Sequence, residues 1–147
     1  MNDVSGATPV EQMYFAWNDA LSHSDTETLL GLYAEDLGLY AEDAVLESPL
    51  VPHLLGATSG RLQGREQLRP LFDLLAKRKP PVWQYYRTSY LTDGKRLIWE
   101  YPRHAGKGEQ MDFAEVMEPN DEGLIQRHCV HWGWFGFRVL QRDEYRR

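Results

Sequence analysis

The sequence predicts an α+β fold, on three observations. Apolar residues recur at helical spacing in the first half, and from Val82 onward the period changes to two. Short turn signals, Asp93-Gly94 and Asn120-Asp121-Glu122-Gly123, join the later segments. Three helices followed by closely linked strands imply an antiparallel meander with the helices covering one face.

The elements follow in order. Residues 1–7 are small and polar and read as a loose arm ahead of one domain spanning 1–147. Thr8-Pro9-Val10-Glu11 is a helix start, with an N-cap candidate, proline at the first position and glutamate at the third. Met13, Tyr14, Trp17, Ala20 and Leu21 then mark one face, and the helix should end near Ser22. Ser24 or Asp25 caps a second helix, whose stripe Leu29, Leu32, Tyr33, Leu37, Tyr40 lets it run on through both copies of the repeat at 30–43. Ala44 to Leu50 is a short strand stopped by Pro49 and Pro52, and Val51 to Gln63 reads as a surface loop. Gly64 to Lys79 is the third helix, with Leu68, Leu71, Phe72 and Leu75 inward and a kink possible at Pro70. Four strands follow, at about Val82–Thr92, Arg96–His104, Gln110–Glu118 and Leu124–Trp134.

The bulk chemistry narrows the partners. The chain has 147 residues and a net charge of −6, which argues against nucleic acid and against an anionic membrane surface. No apolar run reaches the length of a membrane span, and no signal pattern opens the chain, so a cytoplasmic location is expected. The single cysteine, Cys129, excludes an internal disulfide. Cys129 and His131 share a strand face, but two ligands do not make a metal site and no third is evident, so no metal or cofactor is expected. Ile98, Cys129 and some tryptophans leave the outer sheet face too apolar for full exposure, which predicts a homodimer through the sheet.

Four motifs in one order carry a family resemblance: SHSD at Ser22–Asp25, YAEDAVLESP at Tyr40–Pro49, GREQLRPLF at Gly64–Phe72 and EGLIQRHCVHWGW at Glu122–Trp134. Together they resemble the SnoaL-like branch of the nuclear-transport-factor-2-like superfamily. That resemblance implies a curved sheet wrapped around the helices, forming a cone with an apolar pocket. Related proteins include isomerases, epoxide hydrolases, dehydratases, cyclases and pure binding modules, so the fold does not give the function.

The residues inside the cone must decide. Ketosteroid-isomerase-like members place an aspartate base just before the proline of the first strand; Ser48 stands there, after Glu47. A serine hydroxyl has no useful basicity near neutral pH. The Arg-x-Asp pair of limonene-epoxide-hydrolase-like members is also missing, since the mid-sheet strand reads Trp99-Glu100-Tyr101. Scytalone-dehydratase-like chemistry needs paired histidines, and His128 alone is expected inside.

A His–carboxylate pair remains. Alternation puts Leu124, Gln126, His128, Val130 and Trp132 on one face of the last strand, with Ile125, Arg127, Cys129 and His131 on the other. Parity across the turn puts Glu115 beside His128, which is raw material for acid–base work. His128 would move a proton, Glu115 would orient it, and Tyr14 or Tyr101 would polarise an oxygen. Trp17, Tyr40, Trp99, Tyr101, Val130 and Trp132 would line the site. The alternative has Glu115 outward against Arg127, with His128 merely a hydrogen-bonded wall residue. The expected ligand is a small, largely apolar cyclic molecule, handled by cofactor-free isomerase, dehydratase or cyclase-type chemistry. The rival from another class is a non-enzymatic interaction module with a filled aromatic core.

The heptad LGLYAED occurs twice in tandem, at Leu30–Asp36 and Leu37–Asp43. Against the family pattern the chain carries one copy too many, which reads as a duplication or an engineered insertion rather than a binding motif. Seven residues are two helical turns less about 20°, so an extended helix would keep its apolar face. The copy tied to the strand, Leu37–Asp43, is expected to fill the inward positions, and the other to lengthen the helix or bulge out.

Overall fold

A computed structural model describes residues 6–23, 25–30, 38–77, 90–104 and 110–133, without the side chains at 22, 101–104, 110–113 and 132. The first helix, α1 (Pro9–Ser22), begins as its sequence dictates. The Thr8 amide and hydroxyl both donate to Glu11 Oε2 at 2.7 Å, tying the orphan end of the helix. The Tyr90 hydroxyl donates to the other oxygen of Glu11 at 2.6 Å, and these bonds hold that carboxyl below its ordinary pKa. Val10, Met13, Tyr14, Trp17 and Ala20 form the buried stripe.

Helix α2 (Thr26–Leu30) is capped by Asp25, whose carboxylate accepts from the Thr28 amide at 2.9 Å. The expected continuation through both copies, to Asp43, is not what forms. Tyr40 opens strand β1 (Tyr40–Glu47), four residues earlier than the strand expected from Ala44. Two local causes are visible. Gly38 takes a left-handed conformation, φ 63°, which a helix running through this position would not contain. Leu39 then donates its amide to the carbonyls of Thr28 and Leu29 at 3.1 and 2.9 Å, and its own carbonyl accepts from Ile125 at 2.8 Å. Residues 31–37, including most of the first heptad copy, lie outside the described residues. From the second copy, Tyr40 and Ala41 are buried and Leu39 packs against the core.

The Leu39 bonds carry a prediction. Deleting residues 31–37 joins Leu30 to Gly38 and leaves a single LGLYAED. Leu39 then becomes the fourth residue after Thr28, and the bond it already makes becomes an ordinary i to i−4 helical bond. The shortened chain should fold with an unchanged circular dichroism spectrum and a Tm equal to or above that of the parent, because a shorter connection costs less closure entropy. A drop of roughly 10 °C, about 3 kcal/mol for a chain this size, would show that the extra seven residues are needed.

Beyond Ser48 the expected loop contains two short elements, α3 (Leu50–Leu55) and β2 (Arg61–Gln63). Proline inside α3 and the flanking glycines disguise both. Helix α4 (Arg65–Lys77) follows, with Pro70 within it and Leu68, Leu71 and Phe72 buried. The remaining strands are β3 (Tyr90–Thr92), β4 (Leu97–His104), β5 (Gln110–Pro119) and β6 (Ile125–Trp132).

The six strands form one curved sheet in the order β2-β1-β6-β5-β4-β3. The meander from β3 to β6 is antiparallel as expected, whereas β1 runs parallel to β6. The register explains the two faces. Leu97, Met117, His128, Leu46 and Leu62 align across five strands, and all are buried against the helices. One position along, Leu91, Ile98, Val116, Cys129, Glu47 and Arg61 align on the opposite face.

Ile125 departs from simple alternation. Read by parity it belongs outside, yet it is fully buried in the core. The cause is an irregularity: Pro119 pairs with Ile125 and Glu118 with Arg127, so Gln126 is an extra residue on β6. A bulge of one residue turns Ile125 to the same side as His128.

Candidate functional site

Four buried polar side chains converge inside the sheet. Trp17 comes from α1, Tyr40 from the first position of β1, Glu115 from β5 and His128 from β6. Glu115 is directly opposite Val130 in the register, so His128 is its diagonal neighbour, within reach of two long side chains. His128 Nε2 and Glu115 Oε2 are 2.6 Å apart, and His128 Nδ1 and the Tyr40 hydroxyl are 2.8 Å apart. Trp17 Nε1 donates to the same hydroxyl at 3.1 Å. All four residues are less than 5% exposed.

Donor and acceptor types give the chain a direction. An indole N–H can only donate, so Tyr40 Oη accepts from Trp17. The Tyr40 proton then turns to His128 Nδ1, leaving Nε2–H to donate to the Glu115 carboxylate. Protons therefore point in sequence from Trp17 to Tyr40 to His128 to Glu115. Burial pushes the Tyr40 hydroxyl well above its ordinary pKa; the Trp17 bond opposes that rise and the nearby Glu115 charge adds to it. Free phenolate is thus strongly disfavoured.

Backbone anchoring fixes the geometry. Arg65, at the start of α4, donates through Nε to the Tyr40 carbonyl at 2.8 Å. The Trp17 ring lies edge-on to the His128 imidazole, with centroids 5.2 Å apart. Trp99 sits between Tyr14, at 4.8 Å, and Trp17, at 5.3 Å. Tyr14 is buried and also packs against Tyr90 at 5.6 Å. Val130 is half-buried against the core. Tyr101 and Trp132 fall in β4 and β6 at positions whose side chains lie outside the described ones.

Two details revise the expected roles. Both ring nitrogens of His128 are engaged, so the imidazole reaches a ligand only through Tyr40 or after releasing it. The outward alternative for Glu115 does not form, since Arg127 pairs instead with Glu118 at 3.3 Å. Sequence reasoning treats Tyr40 as wall lining and misses its hydrogen bond to His128. The signal lies in the pairing of β1 with β6, which no local pattern reports.

The isomerase-like positions are also settled. Ser48 is buried, and its Oγ accepts from the Leu50 amide at 3.1 Å. Glu47 faces the outer side, with Arg61 at 4.0 Å and the Cys129 thiol donating to it at 3.5 Å. Burial and the Glu47 carboxylate raise the pKa of that thiol, so it is a poor nucleophile. Among the described residues no three His, Cys, Asp or Glu side chains gather as a metal site requires.

No protein-family model and no curated protein matches the chain. Solved structures do. A SnoaL-like protein from Burkholderia thailandensis superposes with a TM-score of 0.65 at 20% identity, over 90% of this chain and 99% of that one. The fold is the NTF2-like cone. TerC, crystallised with polyporic acid, matches at 0.62 and 16% identity, over 90% of this chain and 98% of its own. SalBIII is an epoxide hydrolase/cyclase-like enzyme with a role in pyran ring formation in salinomycin. It matches at 0.59 and 14% identity, over 83% and 88%. At these identities the likeness carries the cone and not the chemistry. No helix among the described residues is long and apolar enough to cross a membrane.

Proposed function

We propose that this protein binds a small, largely apolar cyclic molecule in its cone and transfers a proton on it without a cofactor. The observation that carries the reading is the buried, directed chain Trp17–Tyr40–His128–Glu115. Burying a carboxylate and an imidazole together costs desolvation energy even when they are paired, and such buried titratable pairs cluster at functional sites. In this reading Tyr40 Oη meets the substrate. It accepts a proton as its own moves to His128 Nδ1, and the Glu115 carboxylate stabilises the imidazolium that forms. The high pKa of Tyr40 makes the two transfers concerted, since a separate phenolate would be expensive. Similar cones in TerC and SalBIII, one crystallised with polyporic acid and the other tied to ring formation, are compatible with a cyclic ligand.

A second reading has its own support. Tyr14, Trp17, Trp99 and His128 pack against one another, and both histidine nitrogens are occupied. That arrangement suits a filled aromatic core in a dimeric interaction module. Self-association through the outer face fits either reading, because Leu91 is 78% exposed there, in line with Ile98 and Val116.

Deuterium exchange separates the two. With 1-tetralone in D₂O, wild-type protein should wash deuterium into the position beside the carbonyl, followed by proton NMR. Glu115→Gln should slow exchange by roughly 10²-fold or more. Binding without exchange would leave a binding protein, and neither binding nor exchange across a series of cyclic ketones would favour the module.

A further inference from the structure

Trp99 is 1% exposed, and its Nε1 is a buried donor with no hydrogen-bond partner among the described residues. Native proteins rarely leave such a group unpaired, because it has lost water and gained nothing. Trp99 is the direct cross-strand neighbour of Glu115, and its ring packs against Tyr14 and Trp17, with the His128 ring 6.2 Å away. Its orphan N–H therefore belongs to the same cluster as the proton chain. The imidazole cannot serve it, since Nδ1 and Nε2 of His128 are both engaged.

We propose that Trp99 Nε1 is the ligand-orienting donor of the cone, and that it selects neutral cyclic molecules bearing a carbonyl or ether oxygen. This rests on reading the cone as a ligand site and names the class it takes. Three features define the class. The indole offers one donor and no acceptor, so the ligand supplies the acceptor. The Tyr14 and Trp17 rings pack against the Trp99 indole, at 4.8 and 5.3 Å between centroids, an aromatic setting that suits a flat apolar skeleton. The buried Glu115 carboxylate beside Trp99 repels an anionic ligand, so the oxygen belongs to a neutral group. Trp99 is accordingly a specificity residue, and the proton transfer remains with Tyr40 and His128.

The test uses matched pairs that differ only in the oxygen: 1-tetralone with tetralin, and 9-fluorenone with fluorene. Wild-type protein should bind each ketone about tenfold more tightly than its hydrocarbon, a difference of about 1.4 kcal/mol. In Trp99→Phe the ratio should fall to about one. In the ¹H–¹⁵N spectrum of wild-type protein, the Trp99 indole proton should move downfield with the ketone and stay put with the hydrocarbon. That resonance is assigned by its through-space contacts to Tyr14, so the measurement stands even if Trp99→Phe fails to fold. Equal binding of ketone and hydrocarbon, with an unmoved indole proton, would overturn the donor role while leaving the cone as a ligand site. Failure of all four compounds to bind would overturn the ligand site and the donor role together.

Discussion

His128→Ala should cost about 3–5 kcal/mol of stability, a fall in Tm on the order of 10 °C. The size of the loss comes from what stays behind rather than from the contact removed. Glu115 is 4% exposed, and without the imidazole its carboxylate loses the 2.6 Å bond to Nε2 at a buried position paired across the sheet with Trp99. The Tyr40 hydroxyl also loses its acceptor in a fully buried position. The comparison that isolates the cause is a double substitution, His128→Leu with Glu115→Leu. It removes both polar groups, and should recover much of what the single variant loses, because a buried pair is often no more stabilising than well-packed apolar side chains. Glu115→Gln should be mild, as an amide oxygen still accepts from Nε2–H. Chemical denaturation of the four proteins measures the pattern. A single His128→Ala loss below about 1 kcal/mol would mean that Glu115 finds water or another partner easily, and the buried chain would lose its claim to be a built device.

How much of the site is legible in the sequence depends on the range of the interactions. Glu115 and His128 lie on adjacent strands joined by one short turn, so alternation and parity suffice to bring them together. The stripe of α1 is equally local, and its cap is written in four consecutive residues. Tyr40 is different. LGLYAED has the spacing of a helix, yet residues 40–43 are strand: Gly38 is left-handed, and β6 offers a parallel partner from more than eighty residues away. Tertiary pairing overrides local propensity there. The bulge at Gln126 is a second case: a single extra residue reverses the facing of Ile125, and composition alone does not announce it. The proton chain is therefore half legible. Its carboxylate and imidazole follow from local parity, while the hydroxyl that completes it depends on a long-range pairing.

Trp17→Ala should be comparably severe, at about 3–5 kcal/mol, with a different signature. Trp17 is 2% exposed and reaches three strands from one helix. Its ring meets Trp99 on β4 and His128 on β6, and its N–H meets Tyr40 on β1. Removing it opens a cavity between α1 and the sheet and unkeys the helix from those strands. Trp17→Phe separates the two contributions. It keeps most of the ring volume and removes the N–H, so it should lose about 1–2 kcal/mol, the worth of one buried bond plus imperfect filling. Hydrogen exchange gives the local readout: α1 amides should lose protection in Trp17→Ala well before those of β5 and β6, because the meander keeps its own ladder. Uniform loss across α1 and the sheet would instead mean that helix and sheet open as one unit. A Trp17→Ala protein within about 1 kcal/mol of wild type would contradict the close packing of this ring, since only an empty or water-filled neighbourhood could release a tryptophan so cheaply. The two outcomes also bear on function. If α1 loosens while the sheet holds, the hydrogen-bonded chain from Tyr40 to Glu115 stays assembled on β1, β5 and β6, and under the proposed function Trp17 would govern access to it rather than the transfer itself.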